Sequence, residues 1–240
     1  MAELFAGTSG WAYPSWKPGF YPEKLAQAKF LGHYASRLNT VEVNYTFRHR
    51  LTEKTAQNWL AQTPQGFRFG FKAHQAITHF RQLRDCTQLV ADFLANLNPF
   101  AAAQKLAPVL FQTPPHLKCD PVLFREFLAP LPRSARFAFE FRHESWFQEG
   151  IYEVLRQHNI ALCMAESEKL EVPRVRTADF IYLRLRREPY DPAALEQIAN
   201  ACREFLASGA DVFAYFKHED DPLGAVHAEG LIKSAATKSA

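Results

Sequence analysis

The segment Arg136-Phe-Ala-Phe-Glu-Phe-Arg-His-Glu-Ser-Trp-Phe147 joins an apolar strand to a cluster of charges. Residues 137–141 are rich in aromatic side chains and are typical of a buried strand, and Glu140, Arg142 and His143 follow one another closely at its end. Charges in such a place are costly unless each has a partner or a ligand. This pattern is typical of a site at the C-terminal rim of a parallel β-barrel.

Short apolar runs alternate with helical patterns along the rest of the chain, and eight parallel strands are the number that closes a (β/α)8 barrel. The sequence therefore predicts one α/β domain with a TIM (β/α)8 barrel. A doubly wound open sheet is the alternative, but no G-x-G-x-x-G motif follows an early strand. The other predicted strands are Leu4–Gly7, Thr40–Asn44, Arg68–Ala73, Pro108–Gln112, Ala161–Ala165, Ile181–Leu185 and Val212–Phe216.

Local signals set several boundaries within this barrel. Two helices are predicted to begin at Asp120-Pro121 and Asp191-Pro192, where Asp can cap free N–H groups and Pro fits the first helical position. Residues 166–179, between strands six and seven, are few and include a proline, so they predict a degenerate helix. The barrel domain is predicted to cover residues 1–232, and the small, polar residues 233–240 are predicted to form a flexible tail.

Composition limits the class of protein. With 28 basic and 25 acidic side chains, the net charge of +3 is too small to indicate nucleic acid or an anionic membrane by itself. The chain has neither a secretory signal pattern nor a run long enough to span a bilayer, so we expect a cytoplasmic protein with no membrane partner. The cysteines, which are far apart and form no C-x-x-C motif, are expected to be reduced packing residues. They are Cys86, Cys119, Cys163 and Cys202.

Several segments in order along the chain resemble the YecE-like proteins, known as domain of unknown function 72. The resemblance implies a barrel of the TIM type and supplies no reaction or cofactor. The segments are Gly7-Thr-Ser-Gly-Trp11, Phe20-Tyr-Pro22, Asn39-Thr-Val-Glu-Val-Asn44, Phe69-Gly-Phe-Lys72, Val109-Leu-Phe-Gln112 and Phe139-Glu-Phe-Arg-His-Glu-Ser-Trp146.

The C-terminal third departs from the pattern of that family at two strand ends. Strand seven of the family usually ends in Arg, an apolar residue, His and Gly, whereas this chain has Arg184-Leu-Arg-Arg187. Strand eight usually ends Tyr-Phe-Asn-Asn, whereas this chain has Tyr215-Phe-Lys-His218. Both changes add basic residues at the expected rim.

The ends of all strands in a closed barrel face one mouth, so their polar side chains are expected to meet there. We predict that Glu140 and Glu42 are catalytic carboxylates, with Glu140 as the main general acid or base. The remaining predicted site residues would bind and orient the substrate. They are Lys72, Arg142, Arg184, Asn44, Gln112, His143, Trp11 and Trp146.

A purely structural interpretation of the same residues stands beside this one. Internal Glu–Arg pairs can serve only to satisfy one another, the histidines can cap loops, and the tryptophans can plug the mouth. Glu42, Glu140 and Glu166 together with a histidine would suit a divalent metal, but the nearby Lys and Arg side chains would repel it. No metal ligand is therefore assigned, and the sequence leaves any cofactor unknown.

Three functional hypotheses follow. The first is an enzyme of the hydrolase or lyase type that acts on a small anionic or sugar-like substrate at the barrel rim. The second is a nucleic-acid-binding or nuclease-like barrel, in which basic side chains alternate with aromatic ones. The third is a barrel that binds a ligand or partner without catalysis. The basic residues favouring the second are Arg48, His49, Arg50, Arg186, Arg187, Lys217 and His218.

Overall fold

The computed structural model describes residues 1–187, 189–217 and 221–236, and these form a closed barrel of eight parallel strands. Each strand pairs with the next along the chain, and β1 closes the barrel against β8. The predicted fold is confirmed, with every predicted strand end within two residues of the observed one. The strands are β1 (Leu4–Thr8), β2 (Thr40–Val43), β3 (Arg68–Lys72), β4 (Leu106–Gln112), β5 (Phe137–Glu140), β6 (Ala161–Ala165), β7 (Phe180–Leu185) and β8 (Asp211–Phe216).

Helices follow seven of the eight strands in the described part of the chain. Both predicted Asp-Pro starts are confirmed: Asp120 accepts hydrogen bonds from the N–H groups of Val122 and Leu123, and Asp191 accepts one from Ala194. The helices are α1 (Phe30–Ala35), α2 (Glu53–Ala61), α3 (Thr87–Ala95), α4 (Asn98–Ala102), α5 (Pro121–Leu128), α6 (Glu149–Gln157), α7 (Pro192–Ala207) and α8 (Leu223–Ala236).

The connection from β6 to β7, where the sequence predicted a degenerate helix, has no helix at all, since residues 166–179 are all described and none is helical. Thr177 anchors it, because its hydroxyl donates to the Ile160 carbonyl at 2.7 Å and accepts from the Leu162 N–H at 2.8 Å. The predicted domain boundary after residue 232 falls within the last helix of the described residues. Helix α8 continues to Ala236 without a break, while residues 237–240 lie outside the described part.

The barrel interior is layered from bottom to top. Near the bottom, Phe5 stacks on Phe213 with ring centroids 4.8 Å apart. Alternate residues of β7 point inward, so Phe180 is followed by Tyr182 and then by Arg184. Because aromatic rings fill the lower layers and charges occupy the layer closest to the C-terminal strand ends, polar chemistry is confined to the mouth.

Asn39 and Tyr34 join the first two strands, whose register covers only Gly7 with Thr40 and Thr8 with Val41. The Asn39 amide donates to the Leu4 carbonyl at 2.8 Å and accepts from the Ala6 N–H at 2.9 Å. The Tyr34 hydroxyl accepts from the Thr8 N–H and donates to the Thr40 carbonyl. Side chains thus replace the missing backbone pairing at this joint.

We expect Asn39→Ala to lower the free energy of unfolding by about 2–4 kcal/mol, because a buried N–H and a carbonyl of β1 lose their partners together. Urea denaturation measures this difference. Asn58→Ala is the matched control, since Asn58 is exposed on α2 and bonds only to Gln62 nearby. Equal losses in the two variants would show that the Asn39 amide does not hold β1 to β2.

Candidate functional site

A buried arginine between two carboxylates forms the top layer of the barrel interior. Arg184 at the end of β7 donates through Nη2 to Glu42 on β2 at 2.8 Å and through Nη1 to Glu140 on β5. Its side chain is only 6% exposed, and those of both carboxylates are 5% exposed or less. The structure therefore brings together three predicted site residues from separate strands, as one ionic triad.

Glu42 lies beneath the mouth and is fully buried. Its carboxylate accepts from the Ser9 hydroxyl at 2.5 Å and from the Tyr182 hydroxyl at 2.7 Å, besides Arg184. Burial alone would raise the pKa of Glu42, but the charges of Arg184 and Arg186 outweigh it and lower the pKa to about 2. Glu42 is therefore held as an ionised counter-ion, and its catalytic role stays a prediction.

Glu140 lies higher, on the wall of the mouth. Its carboxylate accepts from Gln112 Nε2 at 2.9 Å and from Arg142 Nε at 3.0 Å, in addition to Arg184. Burial opposes ionisation, but Arg184 and Arg142 hold the pKa of Glu140 well below its usual value. The lowered pKa favours the ionised carboxylate near neutral pH, and the predicted role of Glu140 as general acid or base stays a prediction.

Lys72 and Gln112 connect this triad to the opposite side of the mouth. Lys72 Nζ donates to Gln112 Oε1 at 2.7 Å, and it lies 4.0 Å from the centre of the Phe47 ring. Burial, together with the charge of Arg184, lowers the pKa of Lys72 to about 8. Lys72 can therefore both carry a charge and exchange a proton near neutral pH.

Two cations that were not among the predicted substrate-binding residues complete the mouth. Arg186 Nη2 donates to the Ser9 hydroxyl at 2.7 Å, while its Nη1 is buried without a hydrogen-bond partner. Lys217 follows β8 and has no ion pair within the described residues. The sequence already indicated both residues, because they occupy the two strand ends at which the chain departs from the family pattern. Asn44 lies just after β2, and its Oδ1 is also buried and unpaired.

The open space of the mouth has two lobes. The first has a volume of about 680 Å³ and is walled by Glu140, His143 and Glu166. The second has a volume of about 610 Å³ and is walled by Asn44, Lys72 and Gln112. Both lobes share four basic side chains, so they form one cavity, which we call the mouth basin. The shared residues are Arg142, Arg184, Arg186 and Lys217.

Three predicted substrate-binding residues have other surroundings. Trp146 is fully buried, stacks on Phe141 with centroids 4.4 Å apart, and therefore offers no surface to a ligand. Trp11 packs edge-on against Trp59 and lines neither lobe. His143 does line the first lobe, but its Nδ1 accepts from the Ser145 N–H at 3.2 Å and thereby caps a short helical turn. The contacts of both tryptophans favour the structural interpretation given above, in which they pack within the protein.

The described residues contain no group of three or more His, Cys, Asp and Glu side chains arranged to hold a metal ion. The two carboxylates of the triad are instead saturated by arginine. Within the same described ranges, no helix has the length and apolar character needed to cross a membrane.

Comparison with known proteins identifies the family. A sequence model described as "Protein of unknown function DUF72" matches residues 5–240. The chain belongs to this family. The resemblance predicted from its motifs is therefore confirmed, and the DUF72 match includes the C-terminal third, where the motifs differ.

Curated relatives carry names but no reaction. The chain is 31% identical over 156 residues to the UPF0759 protein YunF of Bacillus subtilis, a match that covers 62% of this chain and 54% of the relative. It is 30% identical over 149 residues to the UPF0759 protein YecE of Escherichia coli K12, covering 61% of this chain and 51% of the relative. The chain thus spans about half the length of the curated relatives that it matches.

Solved structures show the same barrel. A DUF72 family protein from Thermotoga maritima superposes with a TM-score of 0.85 at 26% identity, covering 98% of this chain and all of the other. A DUF72 family protein from Enterococcus faecalis gives a TM-score of 0.74 at 16% identity, covering 99% of this chain and 98% of the other, and supports the fold alone.

The ionised state of Glu42 predicts an acid-sensitive fold. Because its pKa falls from 4.5 to about 2 on folding, Glu42 stabilises the protein fully above pH 4.5, and this contribution is lost as the pH falls towards 2. The whole contribution is roughly 3 kcal/mol. Glu42→Gln should be less stable at pH 7 and should lose less stability on acidification, as measured by urea denaturation at pH 7 to 3.

The exposed Glu53 on α2 provides the control for this measurement. Glu53→Gln should reproduce the acid dependence of the unsubstituted protein. If Glu42→Gln also reproduced it, Glu42 could not be an ionised, strongly stabilised carboxylate in the folded state.

Proposed function

We propose that this barrel is an enzyme that binds a small anionic substrate, with a phosphate or carboxylate group, in the mouth basin. The supporting observation is the buried and unpaired Nη1 of Arg186 beside Lys217, which has no ion pair among the described residues. A buried guanidinium N–H without an acceptor is costly. An oxyanion between these two side chains would supply the missing acceptor.

The balance of charge around the mouth basin supports the same proposal. The carboxylates of Glu42 and Glu140 are already occupied by arginine, and Glu166 Oε2 accepts from the N–H groups of Arg186 and Arg187 at 2.7 and 2.9 Å. The remaining positive charge faces the cavity. The paired N–H donors of arginine guanidinium groups, together with a lysine, suit the charge and the geometry of a phosphate or carboxylate. The lysines and arginines that line the basin are Arg48, Lys72, Arg142, Lys169, Arg184, Arg186 and Lys217.

Lys72 fits the role of proton-transfer group better than Glu140 does. Proton transfer is most efficient when the pKa of the catalytic group lies near the working pH, and the pKa of Lys72 is about 8, whereas that of Glu140 is strongly lowered. Gln112 positions Lys72, while the unpaired Oδ1 of Asn44 can accept a hydrogen bond from a substrate hydroxyl. A hydrolase or lyase acting on a phosphorylated or acidic sugar-like molecule uses each of these groups.

Binding of inorganic phosphate tests the proposal directly. We expect calorimetric titration to show one site, and Lys217→Ala to weaken it about tenfold, because one charge-assisted contact is lost. Lys54→Ala is the matched control, since Lys54 is exposed on α2 and lines neither lobe of the basin. Absence of binding by phosphate, sulfate and simple carboxylates, or equal weakening in both variants, would overturn the proposal.

The pKa of Lys72 predicts how anion binding changes with pH. Sulfate keeps its charge between pH 6 and 10, so its affinity should fall as the pH rises through about 8 and Lys72 loses its proton. Lys72→Met should bind sulfate more weakly at pH 7 and lose this pH dependence, whereas Lys217→Ala should keep it. A slope that persists in Lys72→Met would assign the titration to another group.

A nucleic-acid strand is the second candidate for the anion. The exposed Tyr45 stacks on His49 with centroids 4.8 Å apart, next to Arg48 and the second lobe, which offers a surface for an unpaired base. Of the basic residues that suggested this function, His218 lies outside the described part. Titration with short single-stranded oligonucleotides at several salt concentrations distinguishes the two candidates. Binding of a nucleic-acid strand weakens steeply as the salt concentration rises, whereas binding at a small-anion site responds far less.

A further inference from the structure

The layer of helices around the closed barrel has a gap, because no helix follows β6. In a (β/α)8 barrel, the helices cover the outward side chains of the strands. Met164 on β6 and Leu183 on β7 alternate with the inward residues Ala165 and Arg184 and therefore point outward. A connection without helical structure passes beside them, and Met164 remains only partly buried.

A groove of about 800 Å³ occupies the place of the missing helix. One side of it is apolar: Met164 and Leu183 come from the strands, and Ile198 and Phe205 come from α7. Ile198 and Phe205 are seven positions apart, so they lie on the same face of α7. The rim facing water consists mainly of charged residues of the connection from β6 to β7.

The groove is continuous with the mouth basin. Glu166, Arg186 and Lys217 line both the groove and the first lobe, and so do Leu170 and Val172. Arg186 and Lys217 thus lie at the junction, where the positively charged cavity passes into the apolar groove. The combined space is elongated, with cations at one end and hydrocarbon at the other.

We propose that the substrate is an amphiphilic anion, whose phosphate or carboxylate lies at Arg186 and Lys217 and whose apolar chain lies in the groove. The inference rests on the proposed anion site and adds the chemical class of the rest of the substrate. Continuity of the two spaces and the change in their polarity support a single molecule that occupies both. An anion without an apolar part would leave the groove empty.

A series of alkyl phosphates tests this inference. Inorganic phosphate, methyl phosphate, butyl phosphate and hexyl phosphate are titrated by calorimetry at concentrations below those at which they form micelles. Each methylene that enters the groove should lower the Kd about three- to fourfold, because burial removes its surface from water. Hexyl phosphate should therefore bind far more tightly than inorganic phosphate.

Substitutions on α7 assign the effect to the groove. Ala201 lines it, so Ala201→Phe should fill it and remove the dependence on chain length, while the Kd for inorganic phosphate stays unchanged. Gln197→Phe adds the same ring on the exposed face of α7 and should behave like the unsubstituted protein. If Ala201→Phe fails to fold, Ile198→Ala gives a second test, since it should reduce the gain per methylene.

The outcomes separate the two proposals. If all four ligands bind with the same Kd, the groove inference is overturned and the anion site stands. If hexyl phosphate gains affinity equally in Ala201→Phe and in Gln197→Phe, the chain binds elsewhere and the inference is likewise overturned. If inorganic phosphate does not bind and the alkyl phosphates do not bind either, the anion site fails, and the inference fails with it.

Discussion

The burial of Arg184 between Glu42 and Glu140 is the constraint on which the rest of the mouth depends. Three ionised groups in the interior are tolerated only if each has good geometry and further hydrogen bonds, because desolvation of each ion costs several kcal/mol. Here Ser9, Tyr182 and Gln112 supply those bonds. The triad also joins β2, β5 and β7 across the barrel, so that the positions of these strands and the charges of the mouth are set together.

The same triad determines which groups remain available to a ligand. The two glutamates are shared among three arginines, since Arg142 also pairs with Glu140 and Arg186 with Glu42, so positive charge is in excess around the basin. The positive charge of Arg184 also acts on Lys72 and contributes to its lowered pKa. Burial is the larger cause of that lowered pKa, and the charge of Arg184 adds to it.

Much of the fold could be predicted from the sequence, because it depends on local signals. Apolar runs located the strands, and Asp-Pro pairs located the starts of α5 and α7. The functional site was harder to predict, since the exposure of each side chain depends on segments that are distant in the sequence. Nothing near Glu42 in the sequence tells that Tyr182 and Arg184 cover it.

Two residues that follow strands show a limit of the sequence pattern. Trp146 follows Arg142 closely, but the chain turns at the cap by His143, and the indole stacks on Phe141. The predicted strand two included Asn44, but β2 ends at Val43 and Asn44 has helical backbone angles. The alternation of side chains that holds within a strand therefore does not extend to the residues that follow it.

The sequence separation within the triad bears on how the protein emerges from the ribosome. Glu42 is synthesised 142 residues before the arginine that neutralises it, and Glu140 precedes the same arginine by 44 residues. Until β7 has left the exit tunnel, both carboxylates can remain ionised only in contact with water. The nascent barrel therefore cannot exclude water from its interior before then. Sealing of the interior is therefore a late step that must follow translation of the C-terminal third, however early the first strands form their pairs.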